Sequence, residues 1–303
     1  MKLLGLALLC VAASAGAEPL KVYNGRLFIT AKVNDVTTEA LLDSGAEGSI
    51  FDPAFAAKAK FPAGTPQVIK GSAGAEQARI VEGVKLAALG VEIHPEAVVV
   101  LDLKDLSTRL IKRPTQAIIG RELFDSARLR IDLAGGAIES VSKTSTPRGE
   151  KLPLTAHAGI EAIPVKANGV AALAEFDLGN GSDVMISRDL VQKLGLKILG
   201  KKTGGGIGGG IERDYVLLPT LEVAGRQFHN LHANIDDQPS HNDMNIGTSI
   251  LKNFLITTDF KDRVVWLAPK YAKVIGIIRN IDWRGAGVSN TKRRSAEELN
   301  GGF

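Results

Sequence analysis

Two short acidic loops hold the side chains with the most chemical promise. Asp43-Ser44-Gly45 follows Leu41-Leu42, and Asp177-Leu178-Gly179 follows Glu175-Phe176. A lone carboxylate on a loop is ordinary. Two of them held around one water behave differently: both cannot ionise cheaply, so one keeps a proton while the other draws a proton from the water and makes it a nucleophile. The apparent pKa values then belong to the pair. Gly45 and Gly179 suit such loops, because a residue without Cβ can turn sharply beside a carboxylate. Ser44 adds a hydroxyl that donates and accepts, whereas Leu178 offers neither.

The elements that would position these loops occur twice. Val33-Asn34-Asp35-Val36 precedes the first loop and Ala167-Asn168-Gly169-Val170 the second, at the same distance. Each reads as a strand, a tight asparagine turn and a second strand running into the acid. A short helix start follows each loop, at Asp52-Pro53 and at Ser187 before Arg188-Asp189-Leu190, since Asp and Ser accept a backbone N–H at a helix N-terminus and proline fits the first helical position. Next come glycine-bearing stretches, Lys70-Gly71-Ser72-Ala73-Gly74 and Gly204 to Gly210. Alternating strand patterns lie at 84–86 and 98–103, and at 217–223 and 231–235. Each half closes on an apolar residue before glycine, Ile118-Ile119-Gly120 and Ile246-Gly247, and then Leu129-Arg130-Ile131-Asp132 and Ile256-Thr257-Thr258-Asp259. The second half has the shorter middle. Residues 140–151, rich in Ser, Thr, Lys, Pro and Gly, read as a linker.

With these parts in the same order twice, the chain resembles the aspartic proteases. It looks most like bacterial exported proteins in which two retropepsin-like halves are fused into one pepsin-like chain, and the resemblance spans residues 20 to 268. Asp-Ser-Gly alone is a weak signal; flanked by Leu41-Leu42 and Ala46, followed by Ile118-Ile119-Gly120 and then repeated, it is strong. The resemblance implies an all-β fold of two pseudo-symmetric lobes with short helices: a signal peptide at 1–17, lobes at 18–139 and 152–268 joined by the linker at 140–151, and a tail at 269–303. It implies Asp43 and Asp177 as the catalytic dyad, supported by Ser44, Gly45 and Gly179, with the Ser44 hydroxyl crossing to the opposite loop. Gly71, Gly74, Gly206 and Gly209 would lie at flap tips over a cleft that binds extended peptide through its backbone. The pepsin-type flap tyrosine is missing, and the second loop has Asn180 where alanine would match. A monomer is expected, since one chain supplies both halves, and no cofactor is needed. The alternative is a peptide-binding protein without catalysis on the same scaffold, with Leu178 as its signature; a third reading is a duplicated fold whose cleft takes no ligand.

Other features have blander readings. Gly204-Gly205-Gly206-Ile207-Gly208-Gly209 formally fits G-x-G-x-x-G but lacks the strand, helix and acidic partner of a dinucleotide site, so a hairpin tip is preferred. His229 and His232, three apart on a strand pattern, project to opposite faces and converge poorly with His241 on a metal. Ser44 lacks the G-x-S-x-G setting of a serine nucleophile. Asp132 and Asp259 end strands and read as structural.

The bulk properties agree. At 303 residues the chain is long enough for two cores, and a 5% aromatic content suits strands packed through aliphatic side chains. Lys2, the apolar run Leu3 to Ala12 and Ala15-Gly16-Ala17 make a secretory signal, too short for a membrane span. The single cysteine, Cys10, lies within it, leaving the exported remainder without disulfide or thiol. A net charge of +4, scattered apart from Lys292, Arg293 and Arg294, gives no stripe for nucleic acid.

Overall fold

The computed structural model describes residues 16–157, 159–237 and 242–270, without the side chain of His157. Residues 1–15 of the signal peptide expected at 1–17, Cys10 among them, together with His241 and residues 271–303 of the tail expected at 269–303, lie outside the described residues.

Each half is built around the hairpin that its asparagine turn encodes. Strand Arg26–Val33 pairs with Val36–Leu42, closing at Val33↔Val36, and Ile160–Ala167 pairs with Val170–Phe176, closing at Ala167↔Val170. Asn34 and Asn168 adopt positive φ of 49° and 47°, a conformation that asparagine tolerates better than most residues. The second strand of each hairpin then pairs in parallel with the closing strand of its half. Leu41 faces Ile118 and Leu42 faces Ile119 in the first; Glu175 faces Asn245 and Phe176 faces Ile246 in the second. The Asp43 amide donates to Ile119 O (3.0 Å) and the Asp177 amide to Ile246 O (3.1 Å), so both acids leave their sheets at corresponding points.

These strands belong to a ten-stranded sheet in the first half and an eight-stranded sheet in the second. A third, six-stranded sheet is shared. Leu129–Asp132 and Phe254–Asp259 pair antiparallel across the halves, with Leu129 opposite Thr258 and Ile131 opposite Ile256. Its remaining strands are Glu18–Pro19, Ala137–Ser140, Val264–Pro269 and Glu150–Pro153. Ser140, Glu150 and Lys151 therefore lie in strands, and the stretch between those strands is 141–149. Backbone pairing and the burial of Leu129, Ile131, Phe254, Ile256, Val265 and Leu267 join the halves through one hydrophobic core.

The helices are short. Asp52 caps Pro53–Lys58 by accepting from the Ala54 amide, and Ser187 caps Arg188–Lys193 by accepting from Leu190. Residues 84–86 and 98–103 differ from expectation. The strands there are Leu86–Ala88 and Ala97–Val100. Beyond Val100 the chain turns away, because Asp102 Oδ1 accepts the Lys104 amide (2.8 Å) and starts a helical stretch, Lys104–Leu106, which widens into a π-turn at Ser107–Ile111. Asp259, almost wholly buried, is paired with Arg128, and Asp132 accepts from Lys270 and Gly135. Both carboxylates serve the shared sheet. Buried Glu161 is held by Arg263 (2.7 Å) and Arg121 (3.3 Å).

Candidate active site

The two acidic loops meet. A Cβ built on Gly45 would lie 2.9 Å from Asp177 Oδ1, and one built on Gly179 would overlap the Asp43 carboxyl group outright. Each carboxyl group therefore packs on the glycine of the opposite loop, and glycine is required at both places by close approach rather than by an unusual φ. Ser44 fastens the loops together. Its buried hydroxyl donates to Phe176 O (2.8 Å) and accepts from the Leu178 amide (2.9 Å). The Leu178 side chain makes no reciprocal bond; it is fully buried in the core. One hydroxyl thus satisfies two backbone groups of the other half, and Ser44→Ala leaves both unpaired. The expected loss is about 2–4 kcal/mol of stability, read as a fall in urea midpoint at unchanged slope. A loss below about 0.5 kcal/mol would mean the hydroxyl is dispensable.

The electrostatics follow from burial. Both residues are half-buried, and desolvation of their carboxyl groups raises both pKa values above the ordinary 3.8. Asp43 rises to about 7, first through burial and then through the charge of Asp177. Asp177 is pulled back toward ionisation by more donors. Its Oδ1 accepts the Gly179 (2.9 Å) and Asn180 (3.0 Å) amides, and its Oδ2 accepts Asn245 Nδ2 (2.8 Å). For Asp43 the Gly45 amide donates to Oδ1 at 2.8 Å and the Ala46 amide also favours the ionised form, but among the described residues no side chain donates to it.

Three neighbours were not singled out in the sequence. Asn245 is one. Glu175, whose Oε2 accepts from Asn245 Nδ2 (2.9 Å), is the second. Both are visible on comparing the repeats, where the paired positions Leu41 and Ile118 are apolar. The third is Arg26, buried on the first strand, with Nη1 donating to the carbonyls of Asn24 (3.1 Å) and Leu110 (3.2 Å). Burial lowers its pKa while the two dyad aspartates raise it. Nothing in its strand pattern marked it.

The flap candidates end two hairpins. Gly71 pairs with Gly74 and Gly206 with Gly209, and the hairpin tips touch: the Ala73 amide donates to Ile207 O (3.0 Å). Arg213 from the second hairpin donates to Ser72 O (3.0 Å), and Arg109 from the π-turn to Gly206 O (2.8 Å). The glycine run is therefore a hairpin with its turn at Ile207-Gly208. His229 and His232 are exposed, and no group of three His, Cys, Asp or Glu among the described residues is placed to hold a metal. An open cavity of about 520 Å³ beside Asp52, Lys104 and Arg113 takes no part in the carboxyl pair.

Two β lobes, each donating an Asp-x-Gly loop to one junction, define a bilobal all-β scaffold of the acid-protease type. A sequence model of the aspartyl protease family matches residues 29–123 and again residues 163–250, together more than half of the chain. The chain belongs to the aspartyl protease family. No curated protein sequence matches it.

Proposed function

We propose that this protein is an exported, monomeric aspartic endopeptidase that hydrolyses peptide bonds in extended substrates with a water activated between Asp43 and Asp177. The observation that carries this reading is the packing of each carboxyl group on the glycine of the other loop. Two carboxyl groups in that relation share one proton: the ionised one takes a proton from water, and the protonated one stabilises the oxygen of the attacked carbonyl. The touching hairpins supply edges and a roof for an extended backbone. Export rests on Lys2, the apolar run Leu3 to Ala12 and Ala15-Gly16-Ala17.

The purified chain, incubated at mildly acidic pH with a mixed peptide library, is expected to cleave peptides, and an inhibitor that presents a hydroxyl group to an aspartic dyad is expected to block cleavage. Peptides bound but recovered intact would instead support the binding protein. A chain that neither cleaves nor binds would leave only the duplicated scaffold.

A further inference from the structure

The strand pairs leading into the two acids correspond residue for residue, but their side chains differ directly behind one acid. In the first half the parallel pair Leu41 and Ile118 is buried in an apolar cluster with Phe28, Ile50 and Leu101. In the second half the same pair is Glu175 and Asn245. Exchanging two apolar side chains for an acid and an amide in a sheet interior is unfavourable unless every polar atom finds a partner. Here the partners are specific. Asn245 Nδ2 has two hydrogens and two acceptors, Asp177 Oδ2 at 2.8 Å and Glu175 Oε2 at 2.9 Å. Asn245 Oδ1 accepts from Asn180 Nδ2 at 2.8 Å. Asn180 is itself held, donating to Asp183 O (3.3 Å) and accepting the Ser182 amide (2.9 Å). Glu175 Oε1 accepts from Asn242 Nδ2 (3.2 Å).

This chain of contacts leaves the Asn245 amide one orientation. Rotated by half a turn, it would present its oxygen to Asp177 and Glu175 and its NH2 to the Asn180 NH2, replacing three attractive contacts with three repulsive ones. The NH2 group therefore always faces Asp177. With two backbone amides on Oδ1 and Asn245 on Oδ2, both oxygens of Asp177 accept hydrogen bonds, and a carboxyl group so surrounded favours its ionised form.

We propose that Asn245, oriented by Asn180 and anchored by Glu175, is a positioning residue that holds Asp177 as the ionised member of the dyad and leaves the shared proton on Asp43. The inference rests on the dyad reading above, and it explains the two departures in the second loop together. Leu178 fills the core, and Asn180 sets the amide that the second acid needs. The charged and titratable groups around Asp177 are Asp43 across the junction, Arg26 from the first strand and Glu175 on its own strand. Asp243 and Asp236, the latter paired with Arg213, line the small cavity behind.

The test is a carbon-13 carboxyl titration of the full chain by NMR, which does not depend on catalysis. Asn245→Leu keeps the volume and removes the donor. It is expected to raise the lower of the dyad's two apparent pKa values by about one unit, since a hydrogen bond to a charged group is worth roughly that much. Asn180→Ala, which removes the donor that holds Asn245 Oδ1 and lets the amide swing away from Asp177, is expected to raise it by about half as much. In the enzyme assay the acid limb of kcat/KM moves up by the same amount. Should Asn245→Leu not fold, Asn180→Ala alone decides. A lower pKa unchanged within about 0.2 units in the folded variants overturns the proposal. A shifted titration without peptide cleavage by the parent leaves it standing and instead overturns the endopeptidase reading.

Discussion

Asp43→Asn and Asp177→Asn are each expected to abolish the proposed peptide cleavage, by at least about 10³-fold in kcat/KM, because neither remaining carboxyl group can both take a proton from water and present one to the carbonyl. The first variant should also change stability in a way its partner charge predicts. Folded Asp43 holds its proton up to about pH 7, whereas an unfolded aspartate releases it near 3.8. A pKa raised by folding leaves stability untouched below the unfolded value. Stability then declines as pH climbs from about 4 to about 7, and the full penalty persists above that. Asparagine has no proton to release, so Asp43→Asn should be more stable than the parent by about 2–4 kcal/mol at pH 8, and nearly equal to it at pH 4. Urea denaturation at the two pH values measures the difference. Equal differences at both would mean that Asp43 is not held protonated by its surroundings.

Gly179→Ala has the second largest expected effect. Its methyl would occupy the space of the Asp43 carboxyl group, and because that loop is tied to the other by Ser44, the acid must move. A displacement of about 1 Å in a reacting group lowers kcat by about 10²-fold. Gly45→Ala is the internal comparison. There the added methyl approaches Asp177 at 2.9 Å rather than overlapping it, and a few tenths of an ångström relieve the contact. Its expected loss is about tenfold, with KM little changed for both variants. Steady-state kinetics on one peptide separate them, and equal losses would contradict the packing described here.

Much of this arrangement was legible in the sequence, because the features that build it are local and occur twice. The asparagine turns, the acid at the end of the second strand, the capping Asp52 and Ser187 and the apolar residues before Gly120 and Gly247 each carry their own signal. Ser44 was legible through the resemblance, which implies a hydroxyl crossing to the opposing loop, and a serine hydroxyl can both donate and accept there. The pairing of Leu129–Asp132 with Phe254–Asp259 was not, because register between distant strands is fixed by the assembled core rather than by either strand. The π-turn at Ser107–Ile111 depends on Asp102 starting a helix in a stretch that otherwise reads as strand. Arg26 looked like any charged residue in an alternating strand. Asn245 and Glu175 were hidden for another reason: each is unremarkable alone, and their meaning lies in the contrast with Ile118 and Leu41. Leu178 looked like a lost clamp, yet Ser44 makes both cross-loop bonds and the leucine belongs to the core.

The pH dependence of kcat/KM for one cleaved peptide, followed from about pH 3 to pH 9, addresses the shared proton most directly. A bell whose upper limb falls near pH 7 as Asp43 gives up its proton is the predicted result. Activity that is flat or still rising above pH 8 would contradict a mechanism in which these two aspartates hold one proton between them.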